Sequence, residues 1–114
     1  MSLSSVPPLT LGPSGIAAEE GAELSVVIPT FKERGNIRPL LAKLDAALGS
    51  IRWEAIFVDD NSPDGTTDEV KAAAMQDRRV RCIRRIGRRG LAGACIEGMS
   101  ASAAPYVAVM DADL

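Results

Sequence analysis

The chain contains no histidine, so the side chain that most often serves as general base or metal ligand near neutral pH is missing. Acid–base or metal chemistry therefore falls to carboxylates. Cysteine is scarce: Cys82 and Cys95 are the only pair and lie too far apart for a Cys-x-x-Cys motif. With no secretory signal at the N-terminus, we expect reduced thiols packed in a core, in a cytosolic compartment, rather than a disulfide. Apolar runs are short, and none approaches the roughly 18 to 20 residues that cross a bilayer. Neither sign of charge dominates: 13 basic against 15 acidic residues leave a net charge of -2, which gives no broad electrostatic case for nucleic acid. Two nucleotide-binding fingerprints are absent as well. The position after the first apolar run, where a dinucleotide oxidoreductase carries G-x-G-x-x-G, holds Pro-Thr-Phe-Lys-Glu-Arg-Gly, and no G-x-x-x-x-G-K-[ST] loop occurs.

What is present is most chemical at the end of the chain. Tyr106 to Met110 form an apolar run that leads into Asp111-Ala112-Asp113. In an extended strand side chains alternate faces, so the two carboxylates point the same way and Ala112 the other. An aligned pair of this kind suits a hard divalent cation, which takes one or two carboxylates together with substrate phosphate oxygens. The plain alternative is a strand-end turn with two solvated acids. The 114 residues, 46% hydrophobic and 25% charged, suit one ordinary soluble domain. A domain rarely stops in mid-strand, however, and we expect an N-terminal piece of something longer.

Residues 1–22 mix serine, proline, glycine and alanine without period and read as a disordered leader. Leu24 to Ile28 is a β-branched run closed by Pro29, a buried strand followed by a loop over residues 30–35. Ile37, Leu40, Leu41, Leu44 and Leu48 recur at helical spacing, with Asn36 as N-cap, Pro39 in the first turn and Gly49 as stop. Trp53 to Val58 is a second strand, Asp59 to Gly65 a cluster of turn formers, and a helix spans about residues 66–75. Asp64 and Asp68 are assigned to capping and to the positive end of its dipole. Val80, Cys82 and Arg84 alternate in a third, peripheral strand, and Leu91, Ala94, Cys95, Gly98 and Met99 form a small-residue helical face before the final strand. Strand and helix thus alternate four times, which predicts an α/β fold with a mostly parallel sheet of about four strands and helices on both faces. Ligands in such sheets sit at the carboxyl ends of the strands. Three acidic loops, after the first, second and fourth strands, converge on that edge.

The strings VVIPTFKERGNI, IFVDDNSPDGT, RRGLAGACIEGM and YVAVMDADL, in this order, resemble the N-terminal half of family 2 glycosyltransferases, dolichol-phosphate mannose synthases and related polyprenyl-phosphate glycosyltransferases in particular. The resemblance runs from about Leu24 to Leu114 and implies a truncated, Rossmann-like GT-A fold. It implies inverting transfer of a hexose from a nucleotide sugar of the GDP-mannose or UDP-glucose type to a lipid-linked phosphate. Carried over by position, Pro29, Thr30 and Glu33 match the loop that holds the nucleoside, and Asp60 the acid near the base or ribose. Asp59 is its neighbour and could equally brace the loop. Asp111 and Asp113 match the pair that holds Mg²⁺ or Mn²⁺ against the pyrophosphate, Asp111 thereby touching the nucleotide sugar as well. In the family a third metal ligand follows within two residues of such a pair. Arg89 and Gly90, with Leu91, match a basic residue running into a helix start that admits a diphosphate. Ala92 stands where the family often has glycine or serine.

Other readings compete. Asp60 to Gly65 could be a turn and cap alone. Arg78, Arg79, Arg81, Arg84, Arg85, Arg88 and Arg89 hold seven of the thirteen positive charges; they could meet anionic lipid headgroups or a phosphate-bearing acceptor, although a solvated edge strand defended by charge is the favoured reading. Trp53 reads as packing, and Lys32 and Arg34 as surface charge. VAVMDADL also looks like the nucleophile strand of haloacid-dehalogenase-like phosphatases, but that family places the strand first in its core and here three strand–helix units precede it. A third reading is a nucleotide-binding half-domain without turnover, and we expect the 114 residues alone to bind nucleotide weakly and to transfer nothing. The exposed sheet edges of such a piece favour self-association. The resemblance places the parent protein at the cytoplasmic face of a membrane.

Overall fold

A computed structural model describes residues 21–87 and 90–113. The expected leader lies almost wholly outside the described residues, as does Arg89. The chain alternates β1 (Leu24–Thr30), α1 (Ile37–Leu48), β2 (Trp53–Asp59), α2 (Thr66–Gln76), β3 (Val80–Arg84), α3 (Leu91–Ser100) and β4 (Tyr106–Val109). A single 3₁₀ turn at Arg34–Asn36, not foreseen in the sequence, leads into α1. All pairings are parallel and the sheet order is β3-β2-β1-β4. The expected four-stranded α/β architecture is what forms, with β3 at one edge.

The order dictates where the helices go. From β1 to β2 to β3 the chain steps one way across the sheet, so α1 and α2 share a face. The return to β4 on the far side of β1 sends α3 to the opposite face, because parallel crossovers are right-handed. Two cores result. Val26 and Ile28 of β1 and Ala55 and Phe57 of β2 pack with Ile37, Leu40, Leu44 and Val70 on one face, whereas Val27, Ile56 and Val58 meet Ala94 on the other. The side chains of Ile28, Ile37, Leu40, Ile56 and Phe57 are all at most 1% exposed, each contributing about 1.5–3 kcal/mol of burial. The central strands therefore carry the stability. On α3 only Ala94 and Gly98 are buried, and Leu91 and Met99 of its expected apolar face are exposed. Gly98 is the contact point: an added Cβ would collide with Val27 Cγ1 and come 3.1 Å from Val58 Cγ2.

Three local expectations need correction. First, β1 does not stop at Pro29 but runs through it to Thr30. Val27 accepts from Met110 N–H on the β4 side and Thr30 from Asp60 N–H on the β2 side. Pro29, two residues beyond Val27, turns its missing donor toward β4 past that strand's last partner, Val109, so no ladder bond is lost. Second, Asn36 precedes α1 but makes no side-chain cap. Third, Asp111 and Asp113 follow β4 rather than lie within it.

Among the described residues the arginine-rich stretch is largely paired within the protein. Arg79 stacks on the Trp53 ring at 4.1 Å and pairs with Asp77 at 2.9 Å and Asp45 at 2.8 Å. Arg81 pairs with Glu54 at 3.1 Å, and Arg84 donates to Asn61 Oδ1 at 2.7 Å. Trp53 itself is 2% exposed, a packing residue at the start of β2. Cys82 and Cys95 are free thiols, and burial raises the Cys82 thiol to about 11, the Asp59 carboxylate adding to the effect. Among the described residues no helix is long and apolar enough to cross a membrane.

Candidate functional site

The reversal of strand order falls between β1 and β4, and the carboxyl ends of strands at such a switch point form a natural crevice. A cleft of about 380 Å³ opens there, within the range of small-ligand sites. The end of β1 contributes Pro29, Thr30 and Glu33, the end of β2 contributes Asp60, and the segment after β4 contributes Asp111 and Asp113; Leu91 and Ala94 of α3 complete the wall. Six of the residues singled out in the sequence are thus brought together.

The adjacent Asp59 and Asp60 behave differently, as successive residues at a strand end must. Asp59 is fully buried and does not line the cleft. Its Oδ1 accepts from Thr30 Oγ1 at 2.8 Å and Ser62 Oγ at 2.6 Å, and its Oδ2 from Ser62 N–H at 3.0 Å and Thr67 Oγ1 at 2.7 Å. Four donors leave it no capacity for a ligand. Thr30 correspondingly spends its hydroxyl on Asp59 and offers the cleft packing and backbone.

Asp60 faces outward to the β3–α3 connection. Arg85, 3% exposed, places Nη1 3.2 Å from Asp60 Oδ1 and Nε 2.9 Å from Glu97 Oε2, and donates from Nη1 to the Gly90 carbonyl at 2.9 Å. Its buried charge is thereby compensated from two sides. Gly90, at φ 116°, gives its N–H to Asp60 Oδ2 at 3.2 Å. That amide, expected to be open to a diphosphate, is engaged here, and Gly90 sits beside the cleft rather than in its wall.

The β1 and β2 loops are stitched together. The N–H groups of Lys32, Glu33 and Arg34 donate to Ser62 Oγ at 2.8 Å, Thr66 Oγ1 at 3.0 Å and Asp64 Oδ2 at 3.4 Å. The chain at Lys32 and Asn61 takes φ of 58° and 55°, a conformation that costs a lysine more than an asparagine. The stitches hold it. Asp64 also accepts from Thr66 N–H at 3.0 Å and from the Thr66 hydroxyl at 2.5 Å, which caps α2 as expected from one residue further out, since Gly65 occupies the cap position itself. The Thr66 hydroxyl bond holds the Asp64 carboxyl below its ordinary value.

On the opposite wall Ala112 is 2% exposed and packs into the larger core, while Asp111 and Asp113 on either side of it are exposed at the cleft. Two carboxylates flanking a buried residue fit a hard divalent cation that completes its shell with phosphate and water oxygens. Among the described residues no group of three acidic, histidine or cysteine side chains gathers at metal-binding distance, so the pair alone is what this segment offers. The residues missed in the sequence are those that support the site: Asn36, Ser62, Thr66, Thr67 and Arg85. The density of hydroxyl and carboxylate groups in DDNSPDGT was the available signal for two of them, Ser62 and Thr66.

The sequence pattern described as Glycosyl transferase family 2 matches residues 25–114. The chain is similar to dolichol-phosphate mannosyltransferase of Saccharomyces cerevisiae, 43% identical over 95 residues that make up 81% of this chain and 36% of the yeast protein. It is 38% identical over 92 residues to the enzyme of the same name from Pyrococcus furiosus, covering 81% of this chain and 26% of that one. Among solved structures, a mannosyltransferase from Pyrobaculum calidifontis in complex with GDP-Man and Mn²⁺ superposes with a TM-score of 0.69 at 24% identity, over 82% of this chain and 28% of the other. The chain spans about a third of the length of the curated relatives it matches. With the pattern matching residues 25–114 and the fold superposing on such a structure, the chain belongs to glycosyltransferase family 2 and has the GT-A fold.

Proposed function

We propose that the switch-point cleft binds a nucleotide sugar of the GDP-mannose or UDP-glucose type, and that the parent protein transfers its hexose, with inversion, to a polyprenyl or dolichyl phosphate at the cytoplasmic face of a membrane. The observation that carries this reading is the convergence of Glu33, Asp60, Asp111 and Asp113 on one cleft. In it, Pro29, Thr30 and Glu33 shape the nucleoside side, Asp60 accepts from base or ribose, and Asp111 and Asp113 hold Mg²⁺ or Mn²⁺. The cation would neutralise the pyrophosphate and stabilise the charge that develops on the departing nucleoside diphosphate. The first-turn amides of α3, which have no intrahelical carbonyl partner, lie on the side from which the diphosphate would be approached, and Arg89 just before them in the sequence would add a positive charge for it. Asp59 acts beneath the site as a brace. Relatives named as dolichol-phosphate mannosyltransferases and one named as a dodecaprenyl-phosphate galacturonate synthase support a lipid-linked phosphate acceptor. A phosphatase reading has no comparable support.

The 114 residues by themselves are, in this proposal, a nucleotide-binding part without turnover; hexosyl transfer by them alone would contradict it. Calorimetric titration of GDP-mannose, GDP, UDP-glucose and UDP, with Mn²⁺, with Mg²⁺ and with EDTA, tests the rest. Metal-dependent binding of one nucleotide series, lost in Asp111→Asn, is expected. Equal binding with and without metal, or an unaffected Asp111→Asn, would refute the assignment of the aspartates.

A further inference from the structure

Asn36 stands at the cap position of α1 and does not cap it. Its side-chain amide does something else: Nδ2 donates to Glu33 Oε2 at 3.0 Å and to the Ala112 carbonyl at 3.1 Å. Both partners are acceptors, so the amino end of the amide must face them, and its two hydrogens are both used. One contact is local, three residues back, whereas the other reaches 76 residues along the chain to the segment after β4. The Ala112 carbonyl belongs to the peptide between Ala112 and Asp113, and Ala112 itself is buried. A planar peptide fixed at its oxygen and anchored by a buried side chain leaves little freedom to the carboxylates on either side.

The base of this contact is itself rigid. The Asn36 backbone N–H donates to the Glu33 carbonyl at 2.9 Å, and the next residue, Ile37, is fully buried in the larger core. Glu33 is pinned in turn by its own N–H to Thr66 Oγ1. We propose that Asn36 is a positioning residue that sets the Asp111-Ala112-Asp113 turn against Glu33, so that the metal-binding and nucleoside-binding walls of the cleft are assembled before any ligand arrives. The inference rests on the proposed function for what the turn binds, but not for the positioning itself. Preorganised carboxylates are what a cation site needs, since ordering them on binding would subtract from affinity.

The amide is the only group of this size that fits both contacts. Aspartate is isosteric but presents an anion to the Glu33 carboxylate and the Ala112 carbonyl. Serine is too short to reach. Both are, however, as good as asparagine at a helix N-cap. A role in starting α1 would therefore survive Asn36→Asp and Asn36→Ser, and a role in positioning the turn would not.

The test uses the 114-residue chain, wild type and both variants, in two measurements. Backbone order parameters of residues 111–113, from ¹⁵N relaxation without ligand, should fall clearly in both variants while those of β1 and β2 keep wild-type values. Titration of GDP in the presence of Mn²⁺ should show affinity reduced roughly tenfold, the loss of one hydrogen bond to a carboxylate-bearing turn, with no change in EDTA. Unchanged order parameters at 111–113 in both variants would overturn the proposal, as would order lost uniformly through the sheet, which would mark Asn36 as a residue of the fold alone. If the wild type binds neither Mn²⁺ nor GDP, the reading of the cleft fails, and the relaxation data still decide the positioning role.

Discussion

Replacing Asp59 by alanine removes the acceptor of four donors at once: the hydroxyls of Thr30, Ser62 and Thr67 and the N–H of Ser62. Each donor left unpaired in the interior costs about 1–3 kcal/mol, although hydroxyls can rotate toward one another and recover part of it. The Ser62 N–H cannot rotate. The expected loss is therefore about 4 kcal/mol, at the high end for one substitution and a large part of the stability of a small domain. For a slope near 1.5 kcal/mol per molar of urea that is a shift of roughly 2.5 M in the unfolding midpoint. Asp59→Asn should cost only about 1–2 kcal/mol, because one oxygen remains for Ser62 N–H and Thr67 while the hydroxyls facing the new amino group turn to accept. Urea unfolding of the two variants measures both numbers. Two results would refute the reasoning: an Asp59→Ala protein within about 1 kcal/mol of wild type, or an Asp59→Asn protein of normal stability that has lost nucleotide binding. The second would place Asp59 in contact with the ligand, where the structure does not put it.

Gly98→Ala should destabilise by about 1–3 kcal/mol through overpacking, because the new methyl meets Val27 and Val58 where α3 rests on the sheet; thermal unfolding would show it, and a neutral effect would mean that the helix shifts freely. The Asp64 and Asp77 carboxyls are held below their ordinary values, by the Thr66 hydroxyl and the Arg79 guanidinium respectively. A depressed folded-state value adds stability that is complete above the unfolded-chain value of about 3.9 and is lost as pH falls through the lower folded value. The thermal midpoint should thus fall more steeply below about pH 4 than in Asp77→Asn, and identical acid limbs would contradict this. Cys82, raised to about 11, should alkylate slowly at pH 8 in the folded chain and rapidly in urea. Finally, Tyr106, Val107 and Val109 on the edge strand β4 are 71%, 40% and 47% exposed; we expect concentration-dependent self-association that Val107→Lys reduces, and a monomer by light scattering at every concentration would refute it.

The alternation of strands and helices was legible because β1 and β2 are runs of β-branched and aromatic residues and α1 repeats leucine at helical spacing. Their order in the sheet was not legible in that way, since the handedness of crossovers fixes only which face each helix takes once the order is known. Pro29 misled, because a proline within a strand is harmless only where its missing donor faces an unpaired position, and that position depends on where β4 ends. The fate of Asn36 was illegible for a similar reason. Asparagine before a helix reads as a cap, and only the fold brings the Ala112 carbonyl, 76 residues away, within its reach. For Asp59 the sequence left contact with the nucleotide and bracing of the loop equally open, although a period of two already turns it away from the face of Asp60. Arg85 was hidden in a run of arginines, and its burial between Asp60 and Glu97 depends on α3 crossing behind the sheet.

The central claim is that one cleft at the β1/β4 switch point holds the nucleotide and its cation. The most direct test is an NMR titration of the ¹⁵N-labelled chain with GDP and Mg²⁺, followed by Mn²⁺ to broaden signals near the metal. The account predicts shift changes confined to the ends of β1, β2 and β4 and the start of α3, with broadening centred on Asp111 and Asp113 and reaching Glu33 and Asp60. Shifts elsewhere, for example around Trp53 and Arg79 at the opposite end of the sheet, or broadening that spares Asp111 to Asp113, would contradict it.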